Sequence, residues 1–426
     1  MNILVVSNGH GEDVIGSKIL KELRTFNKKN KIITVSLVGS GRPYEKLAKE
    51  EKKIKHIKAN KKMPSRGFLF SNWKLIAADI KAGLVQETFQ QIRLVLKLSK
   101  KSELVVCVGD LYPLILGYLS RKNYIYVNTK KSFNMVTGAE TIRAHLPKLR
   151  GTNWNFLEIL LAKKSRCRAI FVRDNATQQS LKQLKEKSTA ANPMMRGFYC
   201  PIKKPLKGTN VSIVICLPGS RSPELANNFR KLLDIAIDVN TKEKGFVMLI
   251  PVTTRKAEKN ILEILSEADK NKISIRKKID HDCLQSKISC ICKKGKFREW
   301  AGFCNAALAM TGTASEQCVS MGIPVVSIIG EGPQFNKKFA LRQKNLLGEA
   351  LLLTKTTAEA TSKLEIILSD QEEAKRLGKI GTNRMRCDGG SFEIAKYISE
   401  MNVAKRRDKK LDKYKKRGIA LEILHN

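Results

Sequence analysis

The chain has 426 residues, long enough for two domains of ordinary size, each with a full core. Its 42% hydrophobic content supports a globular protein, while 80 Lys and Arg against 39 Asp and Glu leave a formal charge of +41 and attraction to some polyanion, either nucleic acid or an anionic membrane face. The longest apolar run, Leu104–Leu119, is broken by Asp110 and Pro113 and falls short of the roughly 18–20 residues of a membrane span, so no transmembrane helix is expected.

The chain enters a strand at Asn2 with no basic stretch before it and turns polar by Ser7, unlike a secretory signal. Asn2–Ser7, Ile32–Val38, Leu104–Val108, Tyr124–Asn128 and Ala169–Arg173 have the short apolar character of buried parallel strands, separated by helix-length segments. Lys49–Arg66 holds eight Lys/Arg against two Glu and runs into Phe68 and Phe70, with Trp73 close behind. Aromatic groups beside a basic cluster suit a surface that dips into lipid headgroups. No paired zinc ligands, aromatic RNA-binding strand or helix-turn-helix accompanies it, so an anionic membrane is the expected partner and specific nucleic acid is not. A solvated basic surface set by composition bias is the alternative.

A linker with Pro201, Pro205 and several Lys occupies 196–210, after a first domain over 1–195. The second half, 211–389, repeats the logic with Ser212–Leu217, Phe246–Val252, Ser289–Lys293, Ala307–Met310 and Val325–Ile329. Residues 390–402 form a helix expected to cross back to the first domain, and 403–426 is a basic tail in which Lys405–Arg417 packs nine basic residues against two Asp. The fold class is α/β, two doubly wound Rossmann-like domains facing across a cleft. Ten cysteines at irregular spacings, several inside strands, read as reduced cytosolic thiols. Cys290, Cys292 and Cys304 lack a partner pair at ligand spacing, so no metal site is expected.

Two segments carry chemistry. In Ala307–Ile328 a short strand meets Thr311-Gly312-Thr313, then helix-forming residues from Ala314 until Gly322 and Pro324 end them. The helix start faces the turn, so its free N–H groups and positive dipole end favour a diphosphate, with Glu316 one turn in to accept from ribose hydroxyls. A glycine at a tight strand-to-helix turn of any α/β protein reads the same way. In Val211–Glu224 an apolar strand ends in Pro218-Gly219-Ser220-Arg221.

Together, Leu217–Arg221 with Glu224, Thr311–Ala314 with Glu316 ninety residues after Arg221, and Gly322–Val326 resemble the donor half of lipid-A-disaccharide synthase. Met1–Asp13, Leu104–Leu116 and Asn192–Met195 match its first half more loosely, with Ala191 and Arg196 departing from it. The whole pattern is similar to the cyanobacterial branch related to that synthase, a GT-B glycosyltransferase. The resemblance implies transfer of a sugar from a UDP-sugar to a lipid-linked acceptor at the cytoplasmic membrane face, with no cofactor.

It also assigns roles. Arg221 would stabilise the leaving diphosphate, or else pair with Glu224. Gly219, Ser220, Gly312, Thr313, Ala314, Glu316 and Gln317 would line the donor, and Gln334 and Gln343 resemble the surroundings of the sugar. Independently of the resemblance, the aromatic patch of Phe68, Phe70 and Trp73 beside the basic run would face the membrane and its lipid acceptor. Two groups compete as the base that activates the acceptor hydroxyl: Asp110 at the end of an apolar strand, whose plainer role is to cap the next helix, and His10 in a glycine-flanked turn. Glu12 and Asp13 are helix caps or further carboxylates able to reach the same cleft. A UDP-N-acetylglucosamine 2-epimerase of the same architecture is the alternative function, and a non-catalytic membrane-bound protein a third.

Overall fold

The computed structural model describes residues 1–59, 80–81, 83–135, 153–193, 211–220, 224–239, 245–268, 272–276, 288–330, 335–385 and 390–401. They form two compact units. The expected linker 196–210, the tail 403–426 and the membrane-facing Phe68, Phe70 and Trp73 lie outside the described residues.

The first unit runs β1 (Asn2–Ser7), α1 (His10–Phe26), β2 (Lys31–Ser36), α2 (Arg42–Glu50), β3 (Ile54–Lys58), α3 (Leu84–Ser99), β4 (Leu104–Gly109), α4 (Leu111–Leu119), β5 (Asn123–Asn128), α5 (Phe156–Lys163), β6 (Cys167–Val172), α6 (Asn175–Ser180) and β7 (Ser188–Ala190). Its strands form one parallel sheet in the order β3-β2-β1-β4-β5-β6-β7. Residues of β1 alternate between two cores. Ile3 and Val5 pack with Ile15, Ile19 and Leu23 of α1, while Leu4 and Val6 pack with Val95 of α3 and Leu114 of α4. A sheet buried on both faces explains why these strands are continuous apolar runs.

The second unit runs β8 (Ile213–Leu217), α7 (Glu224–Asp238), β9 (Phe246–Val252), α8 (Arg255–Glu267), β10 (Ile273–Ile275), β11 (Ile288–Lys294), α9 (Phe297–Ala301), β12 (Ala306–Ala309), α10 (Thr313–Ser320), β13 (Val325–Ile328), α11 (Lys337–Leu347), β14 (Leu351–Thr354), α12 (Thr357–Ser369) and α13 (Gln371–Arg384). Its sheet is also parallel, ordered β10-β11-β9-β8-β12-β13-β14. Leu225, Phe229, Leu232 and Leu233 put one face of α7 onto this core. Each such buried side chain contributes about 1.5–3 kcal/mol.

Both units therefore have the doubly wound α/β form. A last helix, α14 (390–401), buries Ile394, Ala395 and Ile398 beside α1 in the first unit. It starts on a glycine because a side chain at Gly390 would meet the Ala191 carbonyl oxygen at 1.9 Å.

Ten strands are expected from the apolar runs, and fourteen are present among the described residues. The four additional strands, β3, β7, β10 and β14, are the outer strands of the two sheets. An outer strand is short and only half covered, so it lacks the apolar run of an inner one. Within the basic run Lys49–Arg66, β3 sets Lys55 and Lys58 on a sheet edge, where lysines guard unpaired backbone against another chain.

Among the described residues no helix is long and apolar enough to cross a membrane. Cys216, Cys290 and Cys292 share the second core, and burial pushes their thiols up.

Candidate functional site

In each sheet the winding reverses once, between β1 and β4 in the first unit and between β8 and β12 in the second. Loops at the carboxyl ends of such neighbouring strands open a crevice that binds ligands in open α/β sheets. The described candidate residues, Gln343 apart, follow the strands of these two switch points.

In the second unit, β12 leads into the turn before α10, whose N-cap Gly312 has no side chain to offer. Gly312, Thr313 and Ala314 are partly exposed, whereas Ser315 through Ser320 are buried. Thr311 and Ser315 brace the turn, their hydroxyls 3.0 Å apart and Ser315 Oγ donating to the Thr311 carbonyl at 2.7 Å. A side chain on Gly312 would meet Phe339 Cζ of α11 at 2.8 Å, so this helix closes over the turn. Glu316 is buried and accepts a hydrogen bond from Gln343 Nε2 of α11 at 3.1 Å. Gln343 is therefore not on an open surface but tied to the carboxylate expected to read ribose.

The neighbouring β8 loop joins this site. Gly219 has φ +115°, a conformation that favours glycine, and Asn228 Nδ2 on α7 donates to the Pro218 carbonyl at 2.9 Å. Asn228 escapes the sequence reading, although it stands one helical turn after Glu224. Ser220 is exposed at the loop tip. Gln317 is buried beside Glu316 on α10. Arg221 and Gln334 lie outside the described residues.

In the first unit, Asp110 caps α4, accepting from Tyr112 N at 3.1 Å, and is held from the turn after β1 by Asn8 Nδ2 at 2.5 Å. Both bonds fall on Oδ1, and the residue is partly exposed. Asn8, another residue absent from the sequence expectations, fixes the carboxylate across the switch point. His10 is the exposed first residue of α1, its Nδ1 accepting from Ser40 N at 3.0 Å.

Glu12 and Asp13 depart from expectation. The N-cap of α1 is Gly9, and neither carboxylate is in the cap position. Asp13 is fully buried and accepts from Ser7 Oγ at 2.7 Å, Ser36 Oγ at 3.0 Å and Gly41 N at 2.9 Å. Burial raises its pKa above the ordinary 3.8, and those three bonds pull it back only in part. Glu12 is also buried, but its burial is outweighed by the charge and hydrogen bond of Lys130, 3.0 Å away, and by Thr129 Oγ1, also at 3.0 Å, so its pKa falls below the ordinary 4.5. Its carboxylate lies where a side chain on Gly9 would stand, 2.0 Å from that point. The β1–α1 turn is thus filled by the chain's own acid.

No family model matches this chain, and no curated protein does. Solved structures do. The UDP-GlcNAc 2-epimerase of Neisseria meningitidis, bound to UDP-GlcNAc, superposes with a TM-score of 0.52 at 12% identity over 94% of this chain and 100% of its own. The S. aureus protein MnaA, solved with UDP, gives 0.52 at 13% over 94% and 96%. The calicheamicin glycosyltransferase CalG4 gives 0.55 at 13% over 94% and 98%. At such identities the likeness establishes the fold, two Rossmann-like units of GT-B type. The resemblance to lipid-A-disaccharide synthase is thereby met at the level of fold.

Proposed function

We propose that the chain is an enzyme of UDP-sugar chemistry that binds its nucleotide on the second unit, with the diphosphate at Gly312–Thr313 and the ribose at Glu316. The observation that carries this reading is the partly exposed turn at the start of α10, on the β8/β12 switch point, with a buried Glu316–Gln343 pair beside it. Free N–H groups there match a diphosphate.

Two reactions fit that donor site, each favoured by a specific observation. Epimerisation at sugar carbon 2 is favoured by the structural neighbours, since the Neisseria protein is a UDP-GlcNAc 2-epimerase. Transfer is favoured by the carboxylates. Removing and returning a proton on two faces of a ring calls for more than one acid–base group. In the first unit Glu12 and Asp13 are committed to protein partners, and the described residues directly after β5 carry Lys130 and Lys131 instead of acids. Among the described carboxylates at this switch point that leaves Asp110, with His10 as its rival base, enough for one hydroxyl to be activated. A lipid acceptor, the finer form of the transfer reading, is supported by α3, where Val85 and Phe89 are 56% and 61% exposed on the face that carries Arg93. In that form the enzyme works at the cytoplasmic face of an anionic membrane.

Incubation with UDP-GlcNAc and membrane lipid in D2O separates the two. Deuterium at carbon 2 with a manno product identifies an epimerase; UDP release with a new glycolipid identifies a transferase. Absence of both, with no UDP binding, refutes the donor site.

A further inference from the structure

The buried pair beside the Gly312 turn is only half satisfied. Gln343 is 2% exposed, and its Nε2 donates to Glu316 Oε1 at 3.1 Å, while its Oε1 is buried with no partner among the described residues. The amide cannot be reversed, because its carbonyl would then face the carboxylate. The head of Gln343 also lies against the turn: Nε2 is 3.6 Å from the point a Cβ on Gly312 would occupy. An orphaned buried acceptor is costly, and a site that keeps one gains on receiving a donor. A phosphate oxygen cannot supply it, being itself an acceptor at this pH. A hydroxyl can.

We infer that Gln343 is a specificity-determining residue that accepts a hydrogen bond from a ribose hydroxyl of the bound nucleotide, so that the Glu316–Gln343 pair selects ribonucleotides over deoxyribonucleotides. This rests on the donor reading given above. Glu316 sits one turn into the helix whose start holds the diphosphate, and the ribose is the next group along a nucleoside diphosphate. Gln343, bonded to Glu316, presents its vacant carbonyl to the same sugar. A site whose buried polar group is left unpaired by an analogue rejects that analogue strongly.

Calorimetry with UDP, 2′-deoxyUDP and 3′-deoxyUDP on the full chain tests it, with Gln343→Met as the variant of similar volume. The native protein should bind UDP roughly tenfold or more tighter than at least one deoxy form, and Gln343→Met should reduce that ratio by weakening UDP and sparing the deoxy analogue. A merely structural role for Gln343 would weaken all three alike. If native protein binds all three equally, the inference is overturned whether or not the variant folds. A ratio unchanged in a folded Gln343→Met also overturns it while leaving the donor site standing. Failure of native protein to bind any of the three removes the donor reading and this inference with it.

Discussion

The turn after β1 and the turn after β12 both lie at the switch point of their sheet, one on the side of its first strand and the other across from it, and they are furnished in opposite ways. After β1, Glu12 lies against Gly9 and is neutralised by Lys130 and Thr129, and Asp13 is spent on Ser7, Ser36 and Gly41. After β12 the cap residue is a bare glycine, the nearest acid is tied sideways to Gln343, and the turn is partly open. The first turn is occupied by a carboxylate, whereas a bare helix start such as the second suits an anion. On the proposed donor reading, two copies of one fold divide the labour, the acids of the first unit building structure and the acid-poor turn of the second taking the nucleotide. Of the two candidate bases in the first unit, Asp110 is partly exposed and His10 exposed.

The comparison can be sharpened by substitution. Asp110→Asn should lower turnover by ~10²–10⁴ in steady-state assays of whichever reaction the chain performs, with UDP affinity intact. His10→Ala should be the milder change, and the reverse order would move the base to His10.

Asp13→Ala should cost about 3 kcal/mol or more in urea unfolding, since it strands two hydroxyls and a backbone N–H in the core. If its role is structural, the folded fraction should bind UDP as before. Gly219→Ala should cost about 1–3 kcal/mol, because at φ +115° any side chain is strained, and it should loosen the donor loop as well.

Smallest is the effect of Glu12. Its lowered pKa means that its contribution is present above the ordinary value of 4.5 and is lost as pH falls through the lower folded value. Glu12→Gln should therefore flatten the acid limb of the stability–pH curve. Half exposure of Lys130 holds the difference to less than about 1 kcal/mol. Burial of Asp13 acts in the opposite sense, its raised pKa favouring the fold toward acid pH and withdrawing that gain as pH rises through the folded value. Unfolding curves from pH 7 to pH 3 measure both.

Inner strands such as Phe246–Val252 are legible in the sequence because both their faces are buried, and the Gly312 and Gly219 turns because backbone geometry demands a glycine or tolerates nothing larger. Outer strands such as Ile54–Lys58 are not, since only part of their surface is covered. What escapes reading most is partnership across sequence. Nothing local to Asp13 announces Ser36 and Gly41, and nothing in the α11 segment announces that Gln343 folds onto Glu316. Such hydrogen bonds depend on which strands become neighbours, which the apolar pattern leaves open. Asn8 is similar, an ordinary polar residue until the sheet order sets it beside the turn after β4, whereas Asn228 closes back on the loop before its own helix.

The division of labour stands or falls on where UDP binds. Titration calorimetry of UDP against native protein, Glu316→Ala and Glu12→Gln puts it to one test. The account predicts that Glu316→Ala weakens binding by roughly ten- to a hundred-fold, the loss of about 1–3 kcal/mol of buried hydrogen bonding, and that Glu12→Gln leaves it unchanged. Binding that survives Glu316→Ala and changes with Glu12→Gln would place the nucleotide on the first unit and contradict the account.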